Sequence, residues 1–248
     1  MQVPPVILLM PQPLLLLHGA NGTAATMQPL VDPLRARVTA PVLALDLLGH
    51  GGRPVPEHFS VEDFAADVIA TMDRDGIAQA VLLGYSFGGY IALYLARHHS
   101  RRVAGVCTLA AKLRFDANTV QHFVHLADPA RLSRPGNPRA AQLAQDHHPQ
   151  DWRRISENNR ALFTALGAIP SLTDDDLRAI TAPALVISGE LDQLVTPQET
   201  LEIAGLIPRS EVATFRGFGH PLAAVPLDRV AWLVGEWLKL LERRGAVS

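Results

Sequence analysis

Short, continuous apolar runs recur along the chain, with segments of helical periodicity between them. The runs span Leu14–Leu17, Val42–Leu45, Ala80–Leu83, Val103–Leu109 and Ala184–Ile187, and turn residues bound each one. Apolar runs without polar alternation are typical of strands buried on both faces, as in parallel sheets covered by helices. The pattern therefore predicts a doubly wound, mostly parallel α/β sheet.

The segments between these runs predict amphipathic helices. Apolar residues recur at helical spacing in Val61–Asp73, and Ser60 precedes that segment as a candidate N-cap. Phe87–Arg97 and Arg229–Leu241 show comparable spacing. We predict a helix in each of the three.

Residues 112–181 break the alternation of strand and helix. This stretch is polar, and proline and glycine punctuate its short helical pieces. Because ligands of open α/β sheets bind beyond the carboxyl ends of the strands, we predict that 112–181 form a helical lid inserted over that edge. Residues 1–111 and 182–248 are then expected to form the core domain.

Composition narrows the class of protein. Hydrophobic residues make up 48% of the 248 residues, and the net charge of −2 gives no electrostatic reason to expect nucleic acid or an acidic membrane as partner. Cys107 is the only cysteine, which rules out an intrachain disulfide and a multi-cysteine metal site. We expect Cys107 to be buried in its strand, the protein to be cytoplasmic, and no metal or cofactor to be needed.

The N-terminal stretch contains two apolar runs, Val6–Met10 and Leu14–Leu17. No Lys or Arg precedes them and prolines interrupt them, whereas a signal peptide has a basic start and an unbroken apolar region. No run in the chain approaches the roughly 18 apolar residues that span a bilayer. We therefore predict two short strands here and no membrane association.

Residues 84–88 read Gly-Tyr-Ser-Phe-Gly and match the pattern G-x-S-x-G. An apolar strand precedes them and a helical segment follows, which is the context of a tight strand-to-helix turn that exposes a serine hydroxyl. The glycines are required where a side chain would collide with the neighbouring strand or helix. We predict that Ser86 is a nucleophile.

A serine nucleophile needs a base, and ten histidines compete for that role. His220 is the candidate, because it lies in the loop Gly217–Pro221 just before the last long helix. We expect His18 and His50 to lie in loops near the site, with His18 supporting its loop through a hydrogen bond. The others have simpler explanations: a polar loop for His58, capping or surface positions for His98 and His99, and a solvated lid helix for His122, His125, His147 and His148.

The third member of the set should hold the imidazole in the right tautomer. Asp192 follows the strand Ala184–Ile187 and its exit turn, so we expect its carboxylate at the same sheet edge as Ser86. Glu190 is close in sequence, and Asp116 follows an earlier strand. Both are alternatives, and Asp192 is preferred.

Two backbone N–H groups should stabilise a tetrahedral oxyanion. Phe87, the residue after the nucleophile, is one expected donor. Ala20, in the loop that follows the first strand, is the other, and Asn21 is a less favoured donor. The alternative interpretation is that this loop is only a tight glycine turn.

These motifs together resemble the α/β-hydrolase superfamily over nearly the whole chain. They are Leu-Leu-His-Gly at 16–19, Asp-Leu-Leu-Gly-His-Gly at 46–51, the serine turn at 84–88, Gly-Glu-Leu-Asp at 189–192 and Gly-His at 219–220. The resemblance implies an α/β-hydrolase fold with a Ser-Asp-His triad, similar to the branch of serine carboxylesterases and enol-lactonases. It also implies that 46–51 form a structural turn, to which we assign no chemistry.

Two departures from the family pattern stand out. Only about a dozen residues precede the first motif strand, so we expect a shortened N-terminal hairpin and fewer than eight strands. Gly52-Arg53 also stands where a small hydroxyl residue is common. Neither departure touches the triad.

The resemblance implies hydrolysis of a small or medium carboxylic ester, thioester or lactone through an acyl-enzyme on Ser86. We expect Tyr85, Phe115 and Phe123 to contact this small-molecule substrate, with Leu113 and Phe163 as further apolar contacts. One alternative is a C–C bond hydrolase or lyase on the same triad, in which Arg114 grips a substrate carboxylate. A second is a non-catalytic ligand-binding protein on a hydrolase scaffold.

Overall fold

A computed structural model describes residues 12–243. Its sheet has six parallel strands in the order β2-β1-β3-β4-β5-β6. The doubly wound parallel sheet predicted from the apolar runs is confirmed. The run Val6–Met10 lies outside the described residues. The strands are β1 (Leu14–Leu17), β2 (Val42–Leu45), β3 (Ala80–Tyr85), β4 (Val103–Leu109), β5 (Ala184–Gly189) and β6 (Ser210–Phe215).

Helices cover both faces of the sheet. On one face α1 (Ala24–Arg35) and α10 (Leu227–Arg243) pack against alternate strand residues. On the other face lie α2 (Val61–Arg74), α3 (Phe87–His98) and α9 (Pro197–Leu206). The central strands β1, β3, β4 and β5 are therefore buried on both sides almost throughout. This double burial explains their continuous apolar runs.

The three predicted helices are present, and each extends one to four residues beyond its predicted limits. Ser60 caps α2, since its side chain accepts a hydrogen bond from the N–H of Asp63 at 3.0 Å. Cys107 is fully buried in β4, as expected, and burial raises the pKa of its thiol.

Five helices lie between β4 and β5, in the stretch predicted to carry the insertion. A capping side chain starts each one, and in α5 and α6 a proline follows the cap, where its missing N–H costs nothing. The helices are α4 (Ala117–Leu126), α5 (Pro129–Leu132), α6 (Pro138–His147), α7 (Trp152–Ala168) and α8 (Asp174–Arg178). Their caps are Asp116, Asp128, Asn137, Asp151 and Thr173.

Candidate active site

The turn between β3 and α3 holds Ser86 in a strained backbone conformation. Its φ is +51°, a region that residues other than glycine seldom adopt. A Cβ on Gly84 would lie 2.2 Å from the carbonyl oxygen of Gly88, and a Cβ on Gly88 would lie 2.2 Å from the carbonyl oxygen of Leu17. Glycine is thus required at both positions for the turn to pack against β1.

Three side chains that are distant in sequence form one chain of hydrogen bonds. The Oγ of Ser86 lies 3.0 Å from Nε2 of His220, and Nδ1 of His220 lies 2.9 Å from Oδ2 of Asp192. Because a carboxylate only accepts, His220 carries its proton on Nδ1 and leaves Nε2 free to accept the serine proton. This is the tautomer in which an imidazole acts as a base towards a hydroxyl.

The second oxygen of Asp192 fixes the carboxylate in place. Oδ1 accepts hydrogen bonds from the N–H groups of Leu194 at 2.9 Å and Val195 at 2.8 Å. The side chain is fully buried. The carboxylate therefore has one orientation, with its free oxygen directed at the imidazole.

The two alternative acids are engaged elsewhere. Asp116 is exposed and caps α4 through the N–H of Thr119, and this hydrogen bond lowers the pKa of its carboxyl. Glu190 is also exposed and accepts from the N–H of Gly217 at 3.3 Å. Of the three candidates, the structure brings Asp192 to the imidazole.

Tyr85 supports the loop that carries His220. Its hydroxyl donates a 2.8 Å hydrogen bond to the carbonyl oxygen of His220, and the two rings lie 5.6 Å apart. Burial raises the pKa of Tyr85 to about 12, so the phenol stays protonated and keeps donating. Tyr85 also lines the cavity described below, where we expected it to contact substrate.

The loop after β1 lies beside the serine and is organised by His18. Nδ1 of His18 donates to the carbonyl oxygen of Gly19 at 2.8 Å, while Nε2 accepts from the N–H of Leu47 at 3.1 Å. One nitrogen must carry the proton and the other must not, so the imidazole is neutral. Burial lowers the pKa of His18 to about 4, in agreement with this state. The supporting hydrogen bond expected of His18 is present.

Asn21 joins this loop to the helices between β4 and β5. Its φ is +55°, and its Oδ1 accepts from Nδ2 of Asn159 at 2.9 Å and from Oγ of Ser156 at 3.3 Å. Its carbonyl oxygen lies 3.4 Å from Nε2 of His147. All four residues are buried.

The expectation that His147 lies on a solvated helix face is wrong. His147 is fully buried, and its Nδ1 accepts from the N–H of Gly51 at 3.2 Å while its other nitrogen faces Asn21. The burial follows from the position of His147 at the end of α6, where the chain turns inward against the loop after β2. His122, His125 and His148 are exposed, as expected.

The two residues expected to donate to the oxyanion both lie next to Ser86, and their role as donors stays a prediction. Phe87 is the first residue of α3, so its N–H has no acceptor within the helix. Ala20 lines the cavity next to Ser86, in the turn closed by the hydrogen bond from Gly22 to Gly19 at 2.9 Å. The side chain of Phe87 does not line the cavity and packs on Phe64 and Phe163.

A cavity of about 770 Å³ opens in front of Ser86 and His220. Phe123 and Phe163 contribute apolar wall, as expected. Phe115 and Leu113 do not line it, so the cavity gives no support to a substrate contact by Phe115, which stays a prediction. Phe115 stacks behind Phe163, with ring centroids 5.9 Å apart, and packs on Phe123 at 6.0 Å. It supports the wall from outside.

The wall also contains residues that the sequence did not single out. Leu194 lies two residues after Asp192, and Leu222 lies two residues after His220. This short distance in sequence from a triad residue is a signal by which both could be predicted to line the site. Arg131 and Arg139 come from the helices between β4 and β5, and no sequence pattern marks either of them as part of the site. Arg114, the proposed carboxylate ligand, is instead paired with Asp174 at 2.5 Å and lies outside the cavity lining.

The segment 46–51 is a structural turn, in line with expectation. Oδ1 of Asp46 accepts from the N–H of Ala24 at 2.7 Å, at the start of α1. Gly51 has φ +59°, and a Cβ there would lie 2.2 Å from the carboxylate of Asp46. Arg53, which stands where a small hydroxyl residue is common, forms two hydrogen bonds of 2.7 and 2.6 Å to Asp67.

Neither a metal-binding cluster nor a membrane-spanning helix is found within residues 12–243. Among them, no group of three or more His, Cys, Asp or Glu side chains is arranged to hold a metal ion. None of the helices in the described part of the chain has the length and hydropathy needed to cross a membrane.

Comparisons with known proteins give a consistent picture. The sequence model of the alpha/beta hydrolase family matches residues 14–234. A 2-hydroxymuconate semialdehyde hydrolase of a Pseudomonas species is 30% identical over 91% of this chain and 86% of its own length. A biotin biosynthesis bifunctional protein of Cellvibrio japonicus, BioHC, is 30% identical over 84% of the chain, which spans 43% of that protein. A thermophilic esterase of Thermogutta terrifontis superposes with a TM-score of 0.71 at 25% identity, covering 96% of this chain and 92% of the esterase.

Proposed function

Because the chain belongs to the alpha/beta hydrolase family, we propose that it is a serine hydrolase that cleaves a small or medium carboxylic ester, thioester or lactone. The observation that carries this proposal is the hydrogen-bonded chain from Ser86 through His220 to Asp192, with the serine held at positive φ at the mouth of a cavity. The similarity to an esterase of known structure supports it.

The first half of the reaction forms an acyl-enzyme. Oγ of Ser86 attacks the substrate carbonyl carbon while Nε2 of His220 takes the hydroxyl proton. The N–H groups of Ala20 and Phe87 stabilise the oxyanion. The bond from carbon to the leaving oxygen or sulfur then breaks, and His220 returns the proton to the leaving group.

The second half releases the acid. A water molecule loses a proton to His220 and attacks the acyl carbon, and the bond to Oγ of Ser86 breaks as the serine regains that proton. Asp192 stabilises the imidazolium in both halves without taking the proton itself. No cofactor takes part in this scheme. We also propose a cytoplasmic location, because a chain with Cys107 as its one cysteine forms no intrachain disulfide.

Turnover of 4-nitrophenyl acetate and butyrate tests this proposal. We expect the Ser86→Ala variant to lose nearly all activity, since the residual catalysis of a serine hydrolase without its nucleophile is small. Ser133→Ala is the matched control, because Ser133 is exposed at the end of α5. Full activity in Ser86→Ala would refute the assigned nucleophile.

A C–C bond hydrolase or lyase on the same triad is the second candidate. The 30% identity to a 2-hydroxymuconate semialdehyde hydrolase favours it. Side-by-side assays with simple esters and with carboxylated diketones discriminate the two candidates. A higher kcat/KM on the diketones would make the second candidate the better description. Turnover of either kind excludes the non-catalytic binding protein, for which we expect a retained cavity without turnover.

A further inference from the structure

Two arginines line the cavity in front of Ser86, and neither has a carboxylate partner within the described residues. Arg131 and Arg139 both contribute to the wall, whereas no Asp or Glu of residues 12–243 does. Other arginines of the same region, such as Arg114, Arg160 and Arg178, are paired with acidic side chains. No carboxylate on the cavity wall therefore pairs with this positive charge.

The guanidinium of Arg131 is fixed but not neutralised. Its Nε donates to the carbonyl oxygen of His125 at 3.0 Å, and its Nη2 donates to that of Leu126 at 2.9 Å. These carbonyls lie at the C-terminal end of α4, so they orient the fork, and the partial negative charge there offsets only part of the full charge of the guanidinium. An arginine held in this way is preorganised for an anion, because little rotamer entropy remains to be lost.

Arg139 stands near the start of α6, and its guanidinium is exposed with no hydrogen-bond partner in the described residues. Only its backbone N–H is engaged, with Oδ1 of Asn137 at 3.0 Å. Burial raises the pKa of Tyr85, and the charge of Arg139 acts on the same hydroxyl in the opposite direction. Arg139 and Tyr85, the residue next to the nucleophile, line the same cavity.

We infer that the cavity takes an ester whose acyl part ends in a carboxylate, which Arg139 binds with the help of Arg131. This inference rests on the proposed function. The apolar wall of Phe123, Phe163 and Leu132 suits the methylene segment between the ester and the carboxylate. An arginine fork matches the geometry of a carboxylate and can bind both of its oxygens.

The test compares two esters that differ only in the terminal group. Mono-4-nitrophenyl glutarate carries a carboxylate where 4-nitrophenyl pentanoate carries a methyl group. The measured quantity is kcat/KM for the glutarate ester divided by kcat/KM for the pentanoate ester. In Arg139→Gln we expect this ratio to fall about fivefold, because one partly exposed charge pair between arginine and substrate is lost. Arg139→Lys, which keeps the charge, should retain part of the ratio. Arg134→Gln removes an exposed arginine outside the cavity lining and should leave it unchanged.

The outcomes separate this inference from the proposed function. If Arg139→Gln and Arg134→Gln give the wild-type ratio while pentanoate hydrolysis still needs Ser86, the carboxylate site is refuted and the hydrolase proposal stands. If no ester is hydrolysed, the proposed function fails, and calorimetric titration with glutarate decides the inference directly. Weaker glutarate binding in Arg139→Gln than in Arg134→Gln supports the site, whereas equal binding or none overturns it.

Discussion

Asn159, on helix α7, donates a 2.9 Å hydrogen bond to the side-chain oxygen of Asn21 in the loop after β1. Ala20, the neighbour of Asn21, is the proposed oxyanion donor. A helix from the stretch predicted as the lid therefore helps to fix the backbone of the proposed oxyanion loop. Asn21 is held at φ +55°, a conformation that needs support from its surroundings, and this hydrogen bond supplies part of that support.

The first prediction concerns this hydrogen bond. In Asn159→Ala, Oδ1 of Asn21 keeps only the longer bond from Ser156, and we expect kcat on 4-nitrophenyl butyrate to fall about fivefold, in line with the net contribution of one hydrogen bond of about 1 kcal/mol. KM should change little, because the loop acts on the transition state. Asn158→Ala is the control, since Asn158 bonds the carbonyl oxygen of Pro56 instead. Equal losses of kcat in both variants would show that Asn159 contributes only to general packing.

The second prediction follows from three buried imidazoles. His50 lies 5.0 Å from His18 and 5.5 Å from His147, measured between ring centroids, and burial is the largest cause that lowers the pKa of each. The ordinary pKa of a histidine, which applies in the unfolded state, is about 6.5. When the pKa is lower in the folded state, the unfolded state binds more protons than the folded state below that pH. The free energy of unfolding should therefore hold above that pH and decrease towards pH 4.

Removing one imidazole should flatten this dependence. Among residues 12–243, the Nε2 of His50 has no hydrogen-bond partner, and its ring packs against both Phe59 and Phe64. In His50→Phe we expect a smaller loss of unfolding free energy between pH 6.5 and 4 than in the wild type, measured by urea denaturation at several pH values. His58→Phe, at an exposed position, should keep the wild-type slope. An unchanged slope in His50→Phe would contradict the assignment.

The third prediction concerns the buried ion pair between Lys112 and Glu199. Nζ of Lys112 lies 2.5 Å from the carboxylate, which also accepts from the N–H of Leu113 at 3.3 Å. In Glu199→Gln the ammonium stays buried without its counter-charge, and we expect the free energy of unfolding to fall by about 3 kcal/mol. Urea denaturation measures this change. Asp175→Asn breaks the exposed pair with Arg178 and should cost less than about 1 kcal/mol; similar losses would show that burial of the pair is unimportant.

The fourth prediction tests the packing of the serine turn. A Cβ on Gly88 would lie 2.2 Å from the backbone of Leu17, which cannot move without disturbing β1. Gly88→Ala should destabilise the protein by about 3 kcal/mol or more and lower its midpoint of thermal unfolding. Gly205→Ala, in α9 with no atom within 4 Å of the added Cβ, should leave the midpoint equal or raise it slightly. A tolerated Gly88→Ala would mean that the turn is less tightly packed than described.

Parts of the molecule were readable from sequence because a single physical constraint determined them. The four central strands must be apolar on both faces, so their residues stand out as continuous runs. The serine turn needs glycine at 84 and 88 for steric reasons, and both glycines fall within one five-residue pattern that can be recognised in the sequence. The loop positions of Ser86, Asp192 and His220 after strands of one parallel sheet were enough to expect them at one edge, and their catalytic roles remain predictions.

Other parts depend on contacts between distant residues and left no local signal. Strand β6 is an edge strand with partly exposed residues from Ser210 to Phe215, so it lacks an apolar run. Helix α1 contains Pro29 and Pro33, which argue against a helix locally, and its packing against α10 overrides them. The burial of His147 and the outward position of Phe115 depend on how α4, α6 and α7 pack together, which periodicity alone does not specify.

The proposed reaction requires the hydroxyl of Ser86 to become acylated during turnover. Its most direct test is to quench the reaction with 4-nitrophenyl acetate in acid and locate the acetyl group by peptide mass spectrometry. We predict one acetyl group on the peptide that carries Ser86, and its absence in His220→Ala. Turnover with no acetyl group on that peptide, or with an equal yield in His220→Ala, would contradict the account.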